Sequence, residues 1–346
     1  MALTRQWCLR PDAAEGVARL SVALVGCGRR SAAAIEPTLM ALRARAVLVA
    51  DPDPEARARV IGGLGSGTVM GIDVLTPQAL METTPDAVII SSPSGLHYTH
   101  AIMALSQGLP TFVEKPLACT AADATALSHI GGDHLVISEQ RIYRRDIRLV
   151  RALIRSGCLG RIHRLTYHDS VAPYPKQAGN WRDNPKLAGG GVLLDLGYHT
   201  IGTIQWLLDQ GAGDFTVFSA QFSKNGPVES EAKATGEWGN IEIDLDIRLD
   251  QTRPREELTI YGTRAEAQLR RYRAGRRISL INLRALRGGS LNMWVALGGQ
   301  YDNKALRKFV SNAHVTDRSA SHVETLKVLE LIYMHATKGV IAACSL

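Results

Sequence analysis

The chain has 346 residues, of which 45% are hydrophobic and 21% charged, with a formal net charge of +7. At roughly 100–200 residues per domain, that length predicts two domains, each able to bury a core of its own. The apolar fraction excludes a disordered chain, and five scattered cysteines (Cys8, Cys27, Cys119, Cys158, Cys344) without a CxxC argue against a disulfide scaffold or a structural zinc site.

The N-terminal stretch MALTRQWCLRPDAAEG has no apolar core followed by a small-residue cleavage site, so a cytoplasmic protein is expected. Residues 21–26 (SVALVG) are an apolar run ending in glycine, which predicts a buried parallel strand. A helical stretch follows, with Pro37 expected to kink or shorten it. Residues 46–51 (AVLVAD) predict a second buried strand ending in an acid, 54–61 a short helix, and the glycine-dense 62–71 a loop. Next come a helix at 77–82, a strand at 86–91, a helix at 97–107 closed by Gly108, a strand at 111–114, a helix at 121–130 and a strand at 135–138. Short strands alternating with helices of about ten residues predict a parallel, doubly wound sheet.

After about Gln140 the pattern changes. Helices are expected at 146–156 and 192–208; the second, the most apolar stretch, is interrupted by Asp195 and His199, so no membrane span is predicted. At 241–249 (IEIDLDIRL) apolar and charged residues alternate strictly, as on a sheet with one buried and one wet face. Strands at 258–261 and 278–283 continue this, and helices at 303–311 and 321–338 close the chain. The division is therefore a dinucleotide-binding α/β domain at 1–140 and an α+β domain with a large, mostly antiparallel sheet at 141–346. Residues 251–290 hold ten arginines and three glutamates, which accounts for the whole net charge. RRYRAGRR at 270–277 reads as a solvated or subunit-facing hairpin tip. With no nucleic-acid motif beside it, no nucleic-acid partner is expected.

Three motifs carry chemistry. Gly26-Cys27-Gly28-Arg29-Arg30-Ser31 follows the first strand. Gly26 permits a tight turn, and Gly28 lets a pyrophosphate approach the N–H groups of a helix start, although Ser31 replaces the usual third glycine. Asp51 ends the next strand, where ribose hydroxyls would be held; an ordinary strand–helix turn is the alternative. Glu114-Lys115-Pro116 ends a buried strand, on the edge where open α/β sheets bind ligands. A partly desolvated lysine there suits proton transfer, and a salt-bridged structural lysine is the alternative. Gly189-Gly190-Gly191 precedes a helix with Asp195 and His199 four apart, so the carboxylate can orient the imidazole as an acid–base pair or merely satisfy a half-buried helix.

These segments in this order resemble the Gfo/Idh/MocA family of oxidoreductases. The matching text is VGCGRRS at 25–31, VIISSPSGLHYTHAIMAL at 88–105, FVEKPLA at 112–118 and NWRDNPKLAGGGVLLDLGYHTIGTIQWLL at 180–208, continuing in SHVETLKVLELIYMHATKG at 321–339. The resemblance implies NAD, with NADP second, bound in a cleft between a Rossmann domain and an open-sheet domain, in a homodimer or homotetramer. It implies Lys115, Asp195 and His199 as catalytic residues. Gly26, Gly28, Arg29, Arg30 and Asp51 would bind the cofactor, and Ser92, Pro93, His97, Glu114 and Lys115 would line its nicotinamide end. Gln140, Arg141, Tyr143, Trp181 and Arg182 fall where relatives contact substrate. The expected activity is hydride transfer between nicotinamide and a secondary hydroxyl or ketone of a sugar, aminosugar or cyclitol. Ala- and Arg-rich usage points to a GC-rich genome, and the resemblance implies that such enzymes there often serve sugar modification in natural-product pathways, an association and not a physical derivation. The alternatives are a cofactor-retaining glycosidase or lyase, and a catalytically silent dinucleotide sensor.

Overall fold

The computed structural model describes residues 20–173, 180–224, 226–250, 252, 254–272, 278–296, 303–311 and 319–336. The first sheet holds β1 (Ser21–Val25), β2 (Arg45–Ala50), β3 (Gly65–Ile72), β4 (Ala87–Ile90), β5 (Thr111–Val113) and β6 (Leu135–Ile137). Their order is β3-β2-β1-β4-β5-β6 and every pairing is parallel. β1, β4 and β5 are buried along their whole length, as strands covered by helices on both faces must be. The covering helices are α1 (Glu36–Ala41), α2 (Pro54–Leu64), α3 (Pro77–Thr83), α4 (His97–Leu105) and α5 (Ala121–Gly131). Side chains cap three of them: Asp53 accepts from Glu55 N, Thr76 from Ala79 N, and Thr120 from Asp123 N.

Two local expectations change. Residues 62–71 are not a loop: 62–64 complete α2 and the rest form β3, whose 70–72 pair with β2. Val69 packs against the core there, so tertiary pairing overrides the low strand propensity of the glycines. Pro37 does not end the helix: the chain is helical from Arg29 to Ala41, and the π turn at Ser31–Ile35, just before the proline, takes up the local distortion.

The second half supplies α6 (Arg145–Arg155), β7 (Ile162–Val171), α7 (Pro185–Ala188), α8 (Tyr198–Leu208), β8 (Phe215–Lys224), β9 (Glu229–Trp238) and β10 (Ile241–Leu249). β11 (Arg255–Gly262), β12 (Ala265–Tyr272), β13 (Ile278–Ala285) and β14 (Ser290–Ala296) follow, then α9 (Lys304–Val310) and α10 (Ser319–His335). The eight strands run β14-β13-β12-β11-β7-β10-β9-β8, antiparallel except for the central β7–β10 pair. In β10, Ile243, Leu245 and Ile247 are buried, as the alternation predicts. They belong to one apolar core that runs from β1 and β4 through α8 to this sheet. A second cluster fills the far face of the first sheet, where α9 returns with Ala305, Leu306 and Val310. Among the described residues no helix is long and apolar enough to cross a membrane.

The arginine patch is not one solvated tip. Arg270 and Arg271 lie within β12, an inner strand, and 273–277 fall outside the described residues. Arg271 reaches Glu256 at 3.3 Å and joins a buried ionic cluster. There Arg141 meets Asp169 at 2.6 Å, while Arg144 meets Asp146 at 2.6 Å and Glu256 at 2.7 Å. Tyr167, Ser279 and Thr200 donate hydroxyls to Glu256, Asp146 and Asp169. All three carboxylates are 0% exposed. Burial opposes the charge on Arg141 and Arg144, but Asp169, Glu256 and Asp146 overcome it and raise both above the usual arginine value.

Candidate active site

Four chain segments meet at the carboxyl edge of the first sheet. Gly26 turns at φ +86°, and a Cβ there would stand 2.4 Å from Ser92 N, so only glycine lets this turn lie against the end of β4. A Cβ at Gly28 would meet nothing within 4 Å, which leaves that side of the loop open. The Asp51 carboxylate is fixed by two backbone donors, Cys27 N at 2.6 Å and Asp53 N at 2.9 Å. Arg57 donates to Asp51 O at 2.5 Å and pairs with Asp73, while Arg59 binds Glu36 and Cys27 O. Neither arginine was singled out from sequence, because each reaches this corner only through the fold of α2. Burial, then the charges of Asp51 and Glu36, push the Cys27 thiol up to about 12, which leaves it unreactive.

Two buried histidines tie the next loops together. His97 faces Pro116 O at 2.6 Å through Nδ1 and Ser92 O at 2.8 Å through Nε2. His100 Nδ1 lies 2.9 Å from Ser92 Oγ. Burial lowers both, His100 to about 4; a neutral His97 ring has one N–H and donates to one of its two carbonyls at a time. His97, expected along the nicotinamide end, is 1% exposed and fastens Ser92–Pro93 to the loop after β5 instead of presenting an open face.

Glu114 is buried and accepts from Arg30 Nε at 2.7 Å and Ser138 Oγ at 3.0 Å. Arg30 therefore turns toward β5 and not toward Asp51, while Arg29 is exposed. Beside Glu114, Lys115 Nζ donates to Asp195 O at 2.7 Å and to Asp195 Oδ1. The Lys115–Pro116 peptide is cis. Lys115 is 14% exposed and Asp195 30% exposed at the side chain, so the pair stands at the mouth of the site. Asp195 sits in a π turn, Leu193–Gly197, that leads into α8. The carboxylate expected to orient His199 is engaged by Lys115, and Arg182 Nε approaches its other oxygen at 3.7 Å. The Arg182 guanidinium stacks 4.2 Å over the Trp181 ring. His199 lines a cavity of about 270 Å³ with Glu139, Arg141 and Trp206; Lys115 and Asp195 are not among its walls.

The remaining expected residues divide. Gln140 donates to Ser138 Oγ at 3.4 Å and so touches the Glu114 group. Tyr143 packs toward the far core, with Lys308 Nζ 5.6 Å over its ring. Arg141 belongs to the buried ionic cluster. The glycine run lies against protein: a Cβ at Gly189, Gly190 or Gly191 would strike Cys119, Tyr333 or Glu229. Among the described residues no group of three or more His, Cys, Asp or Glu side chains is gathered for a metal ion.

The arrangement fits a dinucleotide. The open face at Gly28, the Asp51 carboxylate fixed on Cys27 N and the buried Arg30 Nη2, which has no hydrogen-bond partner, all belong to or touch the turn after β1. A lysine on a carboxylate at the carboxyl edge of the same sheet can move a proton. Comparison with known proteins agrees with this class. Residues 20–134 match the model of an oxidoreductase family with an NAD-binding Rossmann fold, and 147–268 match the Gfo/Idh/MocA C-terminal domain. The chain belongs to the Gfo/Idh/MocA family. It is 31% identical over 168 residues to a putative UDP-kanosamine synthase oxidoreductase subunit of Amycolatopsis mediterranei, covering 48% of this chain and 45% of that one. It is 28% identical over 226 residues to the rhizopine catabolism protein MocA of Rhizobium meliloti, covering 62% and 66%. Thus the match spans about half to two thirds of these relatives' own length. A mutant of KijD10, a 3-ketoreductase from Actinomadura kijaniata in complex with TDP-benzene and NADP, superposes with TM-score 0.78 at 19% identity, covering 92% of this chain and 98% of that one. The WlbA dehydrogenase of Bordetella pertussis, in complex with NADH and UDP-GlcNAcA, gives 0.73 at 19%, covering 93% and 98%. These likenesses establish the fold.

Proposed function

We propose that this protein is an NAD-dependent dehydrogenase or ketoreductase acting on a secondary hydroxyl or ketone of a sugar, aminosugar or cyclitol. The observation that carries the reading is the Lys115 ammonium bonded to Asp195 at the carboxyl edge of the first sheet. An ammonium has three N–H bonds, and two are directed at Asp195. The third can reach a substrate oxygen. A bound nicotinamide would supply the hydride acceptor or donor for the carbinol carbon. In the reducing direction the Lys115 ammonium donates a proton to the substrate oxygen, and in the oxidising direction its neutral amine takes the hydroxyl proton. Asp195 fixes the nitrogen, and His199, on the helix that follows Asp195, is a second acid–base group facing the neighbouring cavity. Trp181 and Arg182 offer a flat, cationic wall to the sugar.

NAD is preferred over NADP on the strength of Asp51. Its carboxylate is held in place by backbone amides and would stand against a 2′-phosphate, while Arg57 and Arg59 already serve Asp73 and Glu36. Assembly as a homodimer or homotetramer through the second sheet is supported by Trp294 and Leu291, exposed on its edge strand β14. Free thiols at Cys27 and Cys158 suit a reducing cytoplasm. A panel of sugars and cyclitols, scored for substrate-dependent NAD reduction, tests the proposal. Bond cleavage with no net cofactor reduction would replace it by a cofactor-retaining lyase or glycosidase.

A further inference from the structure

Glu229, the first residue of β9, lies 36 and 38 residues from the helix start it touches. Its Oε1 accepts from Gly191 N at 2.8 Å, Leu193 N at 3.1 Å and Tyr333 OH at 2.7 Å. The residue is 1% exposed, and Oε2 is buried with no partner. A Cβ at Gly191 would stand 2.1 Å from Glu229 O, so the helix start and β9 are in direct contact. Gly191 O in turn accepts from Asp195 N at 3.0 Å. One chain of bonds therefore runs from Glu229 through Gly191 to Asp195 and ends on Lys115 Nζ.

We infer that Glu229 is a positioning residue for the Lys115–Asp195 pair, acting as a three-way acceptor that sets the π turn bearing Asp195. The inference rests on the assignment of that pair as the reacting groups. Tyr333, which stacks edge-on to Phe222 at 5.3 Å, brings α10 into the same clamp. All three donors fall on Oε1, so a neutral carbonyl oxygen in that place, as glutamine offers, can accept the same bonds. Burial holds the Glu229 carboxyl above the usual range, in line with this.

The test compares Glu229→Ala, Glu229→Gln and Tyr333→Phe in the full chain, using the panel sugar that reduces NAD fastest. Glu229→Ala should lower kcat about 10- to 100-fold with NAD affinity unchanged, the cost of misplacing a reacting group by about 1 Å. Acetylation of Lys115 by acetic anhydride, measured by peptide mass spectrometry against exposed Lys304, should rise about threefold or more once its bond to Asp195 loosens. Glu229→Gln should restore both to near wild type. Should Glu229→Ala fail to fold, Tyr333→Phe removes one of three donors and should move labelling in the same direction by about twofold. The inference is overturned if Lys115 labelling does not change, or if Glu229→Gln is as impaired as Glu229→Ala. Lys115→Met separates the two levels: if it leaves turnover intact the site assignment fails, and if it abolishes turnover while Glu229→Ala does not, only this inference falls.

Discussion

The molecule holds two ionic groups that each touch the α8 segment, and they are built on different plans. The Arg141, Arg144, Arg271, Asp146, Asp169, Glu256 cluster balances three cations against three anions, with carboxylates fully buried and hydroxyls from Tyr167, Ser279 and Thr200 completing it. The Lys115–Asp195 pair is partly exposed at the carboxyl edge of the first sheet, with Arg182 at salt-bridge distance. A cluster whose carboxylates are wholly buried holds strands together. A partly exposed pair can exchange a proton with something that reaches it. The difference teaches that charge alone does not mark a reactive site; access does.

The largest effect that would sharpen this contrast is Lys115→Met. It should lower kcat by about 10²–10⁴-fold and leave the thermal midpoint nearly unchanged, as measured by steady-state kinetics and calorimetry. Glu256→Ala should do the reverse. It strands Arg141, Arg144 and Arg271 beside an uncompensated pocket, at a cost of about 3–5 kcal/mol in urea unfolding, with activity per folded molecule preserved. A third group offers a pH test. His100 is held neutral with its pKa lowered to about 4 from 6.5. The unfolded chain binds this proton first, so the contribution is full above pH 6.5 and is lost as pH falls toward 4. Over that window about 3 kcal/mol should disappear, and His100→Asn should flatten the curve of urea midpoint against pH. The smallest effect concerns the cofactor. Asp51→Ser should erase an NAD preference of about ten- to one-hundredfold, worth about 1–3 kcal/mol, in the ratio of kcat/KM for NAD and NADP. A wild-type preference for NADP would overturn that reading.

The strands of the first sheet were legible because buried parallel strands write themselves as unbroken apolar runs, as in SVALV and AVII. β3 was not, since GSGTVMGI owes its strand state to pairing with β2 and not to its own propensities. Lys115, Asp195, Trp181 and Arg182 could be picked out because each lies in a local motif, and the fold brings them together. What sequence could not supply was partnership at a distance. Arg30, expected with Asp51 among the cofactor residues, meets Glu114, 84 residues away. Arg271 was counted into a surface patch, because nothing near it in the chain announces Glu256. Glu229 stands in ESEAKATGEW, whose text gives no reason to prefer it over its neighbours. The π turn at Leu193–Gly197 is likewise invisible, as its residues would suit an α-helix equally well.

The α8 segment is fastened at three heights: by Glu229 at its start, by the Thr200–Asp169 bond one turn in, and by the Gln205–Thr325 bond near its end. Such a member has little freedom to drift. Substitutions that reshape it would break bonds to three separate elements at once, so it is a poor place for a lineage to explore new substrates. The Trp181–Arg182 turn is only partly buried and is held mainly by short-range bonds, among them the cap from Arg182 N to Asn180. Diversification of substrate choice in descendants of this chain should therefore collect on that turn, while the helix stays nearly constant.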